Sequence, residues 1–490
     1  METNNNTSAP RSAEWREELR KAMPAKERTS IPRVKMPELD PKYRVTTLDE
    51  EVNQGISAEQ AVLEAARCMD CPDPTCMQGC PVSINIPGFI KNIQRGEFLQ
   101  AAAVLKETSA LPAVCGRVCP QEKQCESRCI YHKMKKEPVA IGYLERFAAD
   151  YDRLNGHRNK VDKPQPNGIK VAVVGSGPAG LSFAGDMIKR GFDVSVFEAL
   201  HEIGGVLKYG IPEFRLPNAI VDAEIDGLRA LGVNFVKDVV IGKTITYDQL
   251  LAEGYKGVFV ASGAGLPRFM GIPGENLIGV MSSNEYLTRV NLMGAGRPGH
   301  DTPVKKGKRV AVIGGGNTAM DSVRTALREG AEHAYIIYRR GEKEMPARVE
   351  EVHHAKQEGV EFMNLWNPIE YLGDETGHVT TAVLQHMELG EPDASGRRSP
   401  VPIPGDVMQL PVDEVIVSVG VSPNPLIPRS LEGEGLIVSR KGTIEVNDDM
   451  RSSLPELYAG GDIVRGGATV ILAMGDGRHA AAAMAEALLK

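Results

Sequence analysis

The chain has 490 residues, 42% hydrophobic and 25% charged, with 57 Lys and Arg against 64 Asp and Glu and a formal charge of −7. That balance fits a folded protein of about three domains and argues against disorder, nucleic-acid binding and an anionic membrane partner. Glycine is abundant at 51 residues and no apolar run approaches ~18 residues, so tight-turned α/β folds are expected and a membrane span is not.

The opening METNNNTSAP lacks the apolar core of a signal peptide, so a cytoplasmic location is expected. Residues 1–45 are polar, with little periodicity, and are expected to wrap the surface or a partner. Ser57-Ala-Glu-Gln60 is a capping box, and Ala61, Val62, Ala65 and Ala66 then mark a helix that delivers Cys68. All eight cysteines lie between Cys68 and Cys129, in two blocks. The first is Cys68, Cys71, Cys76 and Cys80, followed by Pro81. The second is Cys115, Cys119 followed by Pro120, Cys125 and Cys129. An extracellular disulfide scaffold does not suit this length and context, so the clustering points to metal. Thiolates on short loops supply the soft ligands of an iron–sulfur cubane, and the Cys-Pro endings resemble the bacterial ferredoxin run. The four-residue spacer between Cys71 and Cys76 departs from that run, and two four-cysteine zinc sites are the alternative. Residues 85–108 read as short helices anchored by Ile86, Ile90, Ile93, Phe98 and Val104, and 138–151 as another helix, so 1–155 reads as one helical cluster-binding domain.

A linker over 164–168 leads into the buried-strand run Lys170–Val174, then Gly175-x-Gly177-x-x-Gly180, a helix over 181–190 and a second strand, 193–197, ending at Glu198. In that context the glycines admit a pyrophosphate onto the helix N-terminus, and the acid is placed to bond ribose hydroxyls. A second copy begins at Lys308 and runs through Gly314, Gly316, Asn317 and Ala319 into a helix to Arg328 and a strand, 334–338. This strand ends in Arg339 and Arg340 in place of an acid. Arginines accommodate a 2′-phosphate, so the second site is expected to prefer NADPH; the alternative is that they merely solvate a strand end. Two further apolar strands, 257–263 and 415–420, end in glycine. Leu457-Tyr-Ala-Gly-Gly461-Asp462 reads as a strand entering a tight turn, followed by Thr469 and a helix over 470–489.

This set resembles the two-dinucleotide-binding flavoprotein oxidoreductases. The resemblance implies FAD on the first fold, at Gly175, Gly177, Gly180, Glu198, Gly205, Gly461, Asp462 and Thr469. It implies NADPH on the second, at Gly314, Gly316, Asn317, Ala319, Arg339 and Arg340, with Arg348 as a further candidate contact. The FAD domain would be split, 165–300 plus 405–490, around an NADPH domain at 301–404. No cysteine follows Cys129, so the flavin has no internal dithiol to reduce there, and its electrons must pass to the clusters or a direct acceptor.

Taken with the cysteine blocks, the whole order is similar to the small (β) subunit family of glutamate synthase. It also resembles the N-terminal half of dihydropyrimidine dehydrogenase and the large subunit of NADH-dependent ferredoxin:NADP oxidoreductase. Matching stretches are Cys115-Gly-Arg-Val-Cys-Pro-Gln121, residues 204–215 and Met345-Pro-Ala-Arg348. The resemblance implies two 4Fe-4S clusters, one on Cys68, Cys71, Cys76 and Cys129, the other on Cys80, Cys119, Cys125 and an eighth ligand. Relatives place a Gln or Glu there, matching Glu145; Cys115 is the rival. Electrons would run from NADPH through FAD and the clusters to a partner. That partner would be a glutamate synthase large chain or, as the alternative, a ferredoxin- or NADH-linked flavoprotein subunit of an electron-bifurcating enzyme.

Overall fold

The computed structural model describes residues 8–156 and 164–490; residues 1–7 of the expected helical domain lie outside them. Helices dominate the N-terminal part up to Ile141–Asn155, and two five-stranded parallel sheets follow, each flanked by helices. The protein is thus α/β, with an N-terminal helical region and two Rossmann-like folds, the second inserted in the first.

Ser57 caps Ala58–Ala66 as a capping box, its side chain accepting from the Gln60 N–H and the Gln60 side chain accepting from the Ser57 N–H. The first sheet runs, edge to edge, Leu457–Ala459, Tyr255–Val260, Lys170–Val174, Asp193–Phe197 and Asn234–Val236. The second runs Val280–Ser282, Glu414–Val417, Arg309–Ile313, His333–Tyr338 and Glu361–Asn364. In both, the strand entering the glycine turn is central and buried, which is why these segments read as unbroken apolar runs.

The second fold is wider than the 301–404 expected. Val280–Ser282 pairs with Glu414–Val417, and both belong to the second sheet. A fully buried strand such as Glu414–Val417 carries no pattern that says which parallel sheet it joins; only its register with Arg309–Ile313 decides. The boundary at 404/405 also cuts a strand. Trp366–Gly373, Val379–Pro392 and Arg398–Pro411 form an antiparallel three-stranded sheet that sequence patterning missed.

A buried charged joint ties the three parts together. Glu358, on the second fold, accepts from Arg44 of the N-terminal arm (2.7 Å), Arg324 (2.8 Å) and Arg328 (2.8 Å). Arg324 also pairs with Glu351. Arg215, from the first fold, reaches Asp321 at 2.7 Å and Glu351 at 3.0 Å, while Phe214 lies under the Arg324 and Arg328 guanidiniums. Against the cost of burial, Arg215 and Arg324 hold the Glu351 carboxyl down at about 2, and Glu358 is likewise held well below its usual value.

Replacing Glu358 with alanine removes the carboxylate that three buried arginines share, leaving Arg328 without its ion pair, and is expected to destabilise the protein by about 3–5 kcal/mol, read as a lower urea midpoint. An unchanged midpoint would show that the arginines find other partners. A depressed carboxyl stabilises above its unfolded value, 4.5, so the contribution of Glu351 should fade as the pH falls toward about 2. Glu351→Gln should flatten that part of the stability–pH curve.

Candidate functional site

Both glycine turns sit where the strand order of their parallel sheets reverses. Gly175 has φ +100°, and a Cβ there would lie 2.6 Å from the Ala261 carbonyl oxygen; Gly314 has φ +141°, and a Cβ would meet the Ser418 carbonyl oxygen at 2.3 Å. Each turn is wedged against the end of the neighbouring strand, the place where open α/β sheets bind ligands. A Cβ at Gly180 would strike the Gly175 carbonyl at 2.1 Å, whereas the second fold accommodates Ala319, fully buried, at the same step. Gly177 and Gly316 are the N-caps of Pro178–Lys189 and Asn317–Arg328, and neither helix has a side-chain cap, so their first N–H groups are open to an anion.

The two turns open into one continuous cleft of about 1970 Å³. Gly175, Gly177, Glu198, Gly205, Gly461, Asp462 and Thr469 line it from the first fold, and Gly314, Gly316, Asn317, Arg339 and Arg340 from the second. Gly180 and Ala319 stand behind its wall. Glu198 organises the first turn, its carboxylate accepting from the Ser176 N–H (2.9 Å), the Ser176 hydroxyl (2.5 Å) and the Leu200 N–H (2.9 Å). Asp462 accepts from the Ala468 N–H at 3.1 Å, and burial, with Asp476 nearby, pushes its carboxyl up to about 6. Thr469 caps the helix Val470–Leu489.

Asp476 was not singled out in the sequence. It is buried, accepts the Gly461 N–H at 3.0 Å and pairs with Arg465 at 2.5 Å, holding the Gly461–Asp462 turn against the helix. An acid inside a helix carries no turn signature, so only the fold reveals it.

The nicotinamide side departs from expectation. Arg339 is exposed and lines the cleft, but Arg340 is buried and paired with Asp393 at 2.6 Å, at the tip of the long antiparallel hairpin. Arg397 of the same tip also lines the cleft. Arg348 does not line it. Its guanidinium donates to the Arg117 carbonyl (2.8 Å) and Gln121 Oε1 (3.0 Å) and pairs with Glu350, which makes it a domain joint, while its backbone N–H reaches Asn317 Oδ1 at 2.9 Å.

The cysteines fall into two neighbourhoods. Cys68, Cys71, Cys76 and Cys129 line one small cavity. Cys80, Cys119 and Cys125 lie close enough to Glu145 to feel its charge. Burial pushes the Cys71 and Cys80 thiols up to about 11, so thiolates in these neighbourhoods need a cation to neutralise them. Among the described residues no three thiols approach within 4.8 Å of one another. Glu145 is buried, with Oε1 unpartnered, and burial and Glu224 push its carboxyl up to about 8. Cys115 is also close, but its Sγ lies 3.5 Å from Met474 Sδ. Val118 and Pro120, on either side of Cys119, line the large cleft.

Two dinucleotide folds sharing one cleft beside two thiol sets define a pyridine-nucleotide-linked oxidoreductase with an iron–sulfur region. Residues 169–487 match the pyridine nucleotide-disulphide oxidoreductase family, and 44–157 match the family described as dihydropyrimidine dehydrogenase domain II, 4Fe-4S cluster. The glutamate synthase (NADPH) small chain of Escherichia coli (strain K12) is 36% identical over 439 residues, 88% of this chain and 92% of that one. The NADP(+)-dependent formate dehydrogenase subunit beta of Moorella thermoacetica is 39% identical over 430 residues, 83% of this chain and 59% of that one. Mycobacterium tuberculosis FprA in complex with NADPH shares the fold, with a TM-score of 0.55 and 22% identity over 66% of this chain and 85% of that one. The chain belongs to the glutamate synthase small-subunit family of NADPH-dependent FAD/iron–sulfur oxidoreductases. Among the described residues no helix is long and apolar enough to cross a membrane.

Asp476→Ala should loosen the Gly461 turn and weaken FAD retention by roughly 10–150-fold, the worth of a charge-assisted bond of ~1.5–3 kcal/mol. Iron content should stay unchanged. Flavin-to-protein and iron-to-protein ratios measure both; full flavin occupancy after dilution would show that the turn stands without Asp476.

Proposed function

We propose that this chain is the electron-input subunit of a glutamate synthase-type enzyme, oxidising NADPH and delivering electrons to a larger partner that makes glutamate. One observation carries the reading. The cleft shared by both glycine turns is also lined by Val118 and Pro120, the two neighbours of Cys119. When bound, FAD takes a hydride equivalent from NADPH, and iron–sulfur clusters move its electrons one at a time. The chain's own residues supply positions and charge. Gly175, Gly177 and Gly205 leave room for the FAD pyrophosphate at Pro178–Lys189, Glu198 and Asp462 present acceptors, and Gly461 and Thr469 shape the entry to Val470–Leu489. Gly314, Gly316 and Asn317 do the corresponding work for NADPH, with Arg339, which forms no ion pair among the described residues, as a cation for its 2′-phosphate and Arg340 held in place by Asp393.

Two 4Fe-4S clusters fit the two thiol neighbourhoods. Cys68, Cys71, Cys76 and Cys129 would hold the outer one and Cys80, Cys119, Cys125 and Glu145 the inner. Glu145 is favoured as eighth ligand because it brings an orphaned buried oxygen to the set, while the Cys115 sulfur already has partners in Met474 and Cys119.

A second reading keeps the electron route and changes the partner. The likeness to a formate dehydrogenase beta subunit supports a complex with another redox enzyme, such as the bifurcating type. The chain that co-purifies with this one separates the two.

Anaerobic NADPH should bleach the flavin absorbance within a single mixing experiment. Arg339→Ala should raise the NADPH KM roughly 10–150-fold while leaving the NADH KM nearly unchanged. Equal effects on both nucleotides would remove the arginine from the 2′-phosphate. For the clusters, Glu145→Ala should abolish or alter one EPR signal, because a carboxylate is a harder ligand than thiolate. Cys115→Ser should leave both signals intact. The reverse pattern would make Cys115 the ligand.

A further inference from the structure

Directly after Cys129 the chain climbs a short 3-10 helix, Ile130–Met134, and turns at Lys135. Tyr131 anchors the turn, fully buried and lining the cavity of the outer thiol set, with its hydroxyl donating to the carbonyls of Arg67 (2.7 Å) and Arg28 (3.1 Å). The rest of the turn is solvent-facing: His132, Lys133, Met134, Lys135 and Lys136 are all exposed. Exposed Arg128, on the other side of Cys129, lines the mouth of the same cavity. Four exposed cations therefore flank one exposed methionine along the chain beside the outer thiols, in a chain whose formal charge is −7. Of the acids nearest in sequence, Glu126 pairs with Arg33, and among the described contacts neither it nor Glu137 forms an ion pair with these cations. Lys135 holds φ +55°, a left-handed conformation that Gly or Asn adopts more cheaply, so the crest keeps a cation where the backbone disfavours it.

We infer that residues 128–136 form the docking surface for an electron-accepting protein whose contact face is acidic. An apolar centre with a charged rim is the layout of a transient interface, and the rim cations steer an oppositely charged partner to the cluster nearest the surface. A basic crest on an acidic protein also repels cationic acceptors while leaving small ones able to reach the cluster. The inference rests on the proposed route, in which electrons leave through Cys68, Cys71, Cys76 and Cys129.

The test uses the full-length holoprotein and a strongly acidic 2Fe-2S ferredoxin as the probe. Binding is measured with both proteins oxidised, so it does not depend on NADPH reducing the clusters. Lys133→Glu with Lys135→Asp, the latter chosen because Asp tolerates a left-handed backbone, should weaken binding about tenfold or more at low salt, and the difference should shrink as salt rises. Reduction of the small cation hexaammineruthenium(III) by the NADPH-reduced variant should be no slower than by the wild type. Iron content and the EPR spectrum check the variant, and Lys133→Glu alone serves if the double variant loses iron. Unchanged ferredoxin affinity, or affinity indifferent to salt, would overturn the docking surface. Failure of NADPH to reduce the clusters of the wild type, with the binding result intact, would instead overturn the electron route.

Discussion

Glu358 holds three arginines in a place that water does not reach, and the relative pose of the domains depends on that concentration of charge. Breaking a buried pair costs more than forming it gains, so such a joint tolerates little sliding. Arg44 comes from the N-terminal arm, Arg215 from the first fold and the acids from the second, and any rotation of one part would strip several ions at once. A common cleft for two nucleotides needs this rigidity, because each glycine turn fixes only its own ligand.

The stretches through which the chain resembles its family have a shared physical role. Arg215, in residues 204–215, meets Asp321; Arg348, in the Met345–Arg348 stretch, meets the Arg117 carbonyl and Gln121, which belong to the cysteine-containing stretch. These residues hold domain to domain, Arg215 and Asp321 at the wall of the cleft and Arg348 outside it. That is why a short motif such as Met-Pro-Ala-Arg can be distinctive: Pro346 lines the cleft while Arg348 braces the domains. It is also why Arg348 read as a nucleotide contact from sequence and proves to be a brace.

The strand–turn–helix units were legible because their chemistry is local. A central strand is an unbroken apolar run, and a turn wedged against a neighbouring carbonyl admits only glycine. The capping box at Ser57 and the C-terminal helix were legible on the same terms. What stayed hidden depends on partners distant in the chain. Arg340 reads as a phosphate ligand from its place at the strand end, and nothing local shows that Asp393, 53 residues away, pairs with it. Glu414–Val417 could join either sheet. The antiparallel strands between Trp366 and Pro411 carry prolines, glycines and irregular registers that blur the alternation by which strands are recognised. Glu145 could be suspected only through family likeness, since an acid on a helix announces nothing until the thiols are placed around it.

The split of the first fold has a consequence for synthesis. Strand Leu457–Ala459 completes its sheet, and the helix Val470–Leu489 packs along Pro178–Lys189, so these early segments must wait for residues made almost three hundred positions later. The second fold, whose last strand is Glu414–Val417, has all its strands before then. On the ribosome the inserted fold can therefore close first and act as a finished block that brings the two halves of the outer fold together. Until that happens, the side of Pro178–Lys189 that packs on Val470–Leu489 has no cover, and apolar surface of that kind invites aggregation.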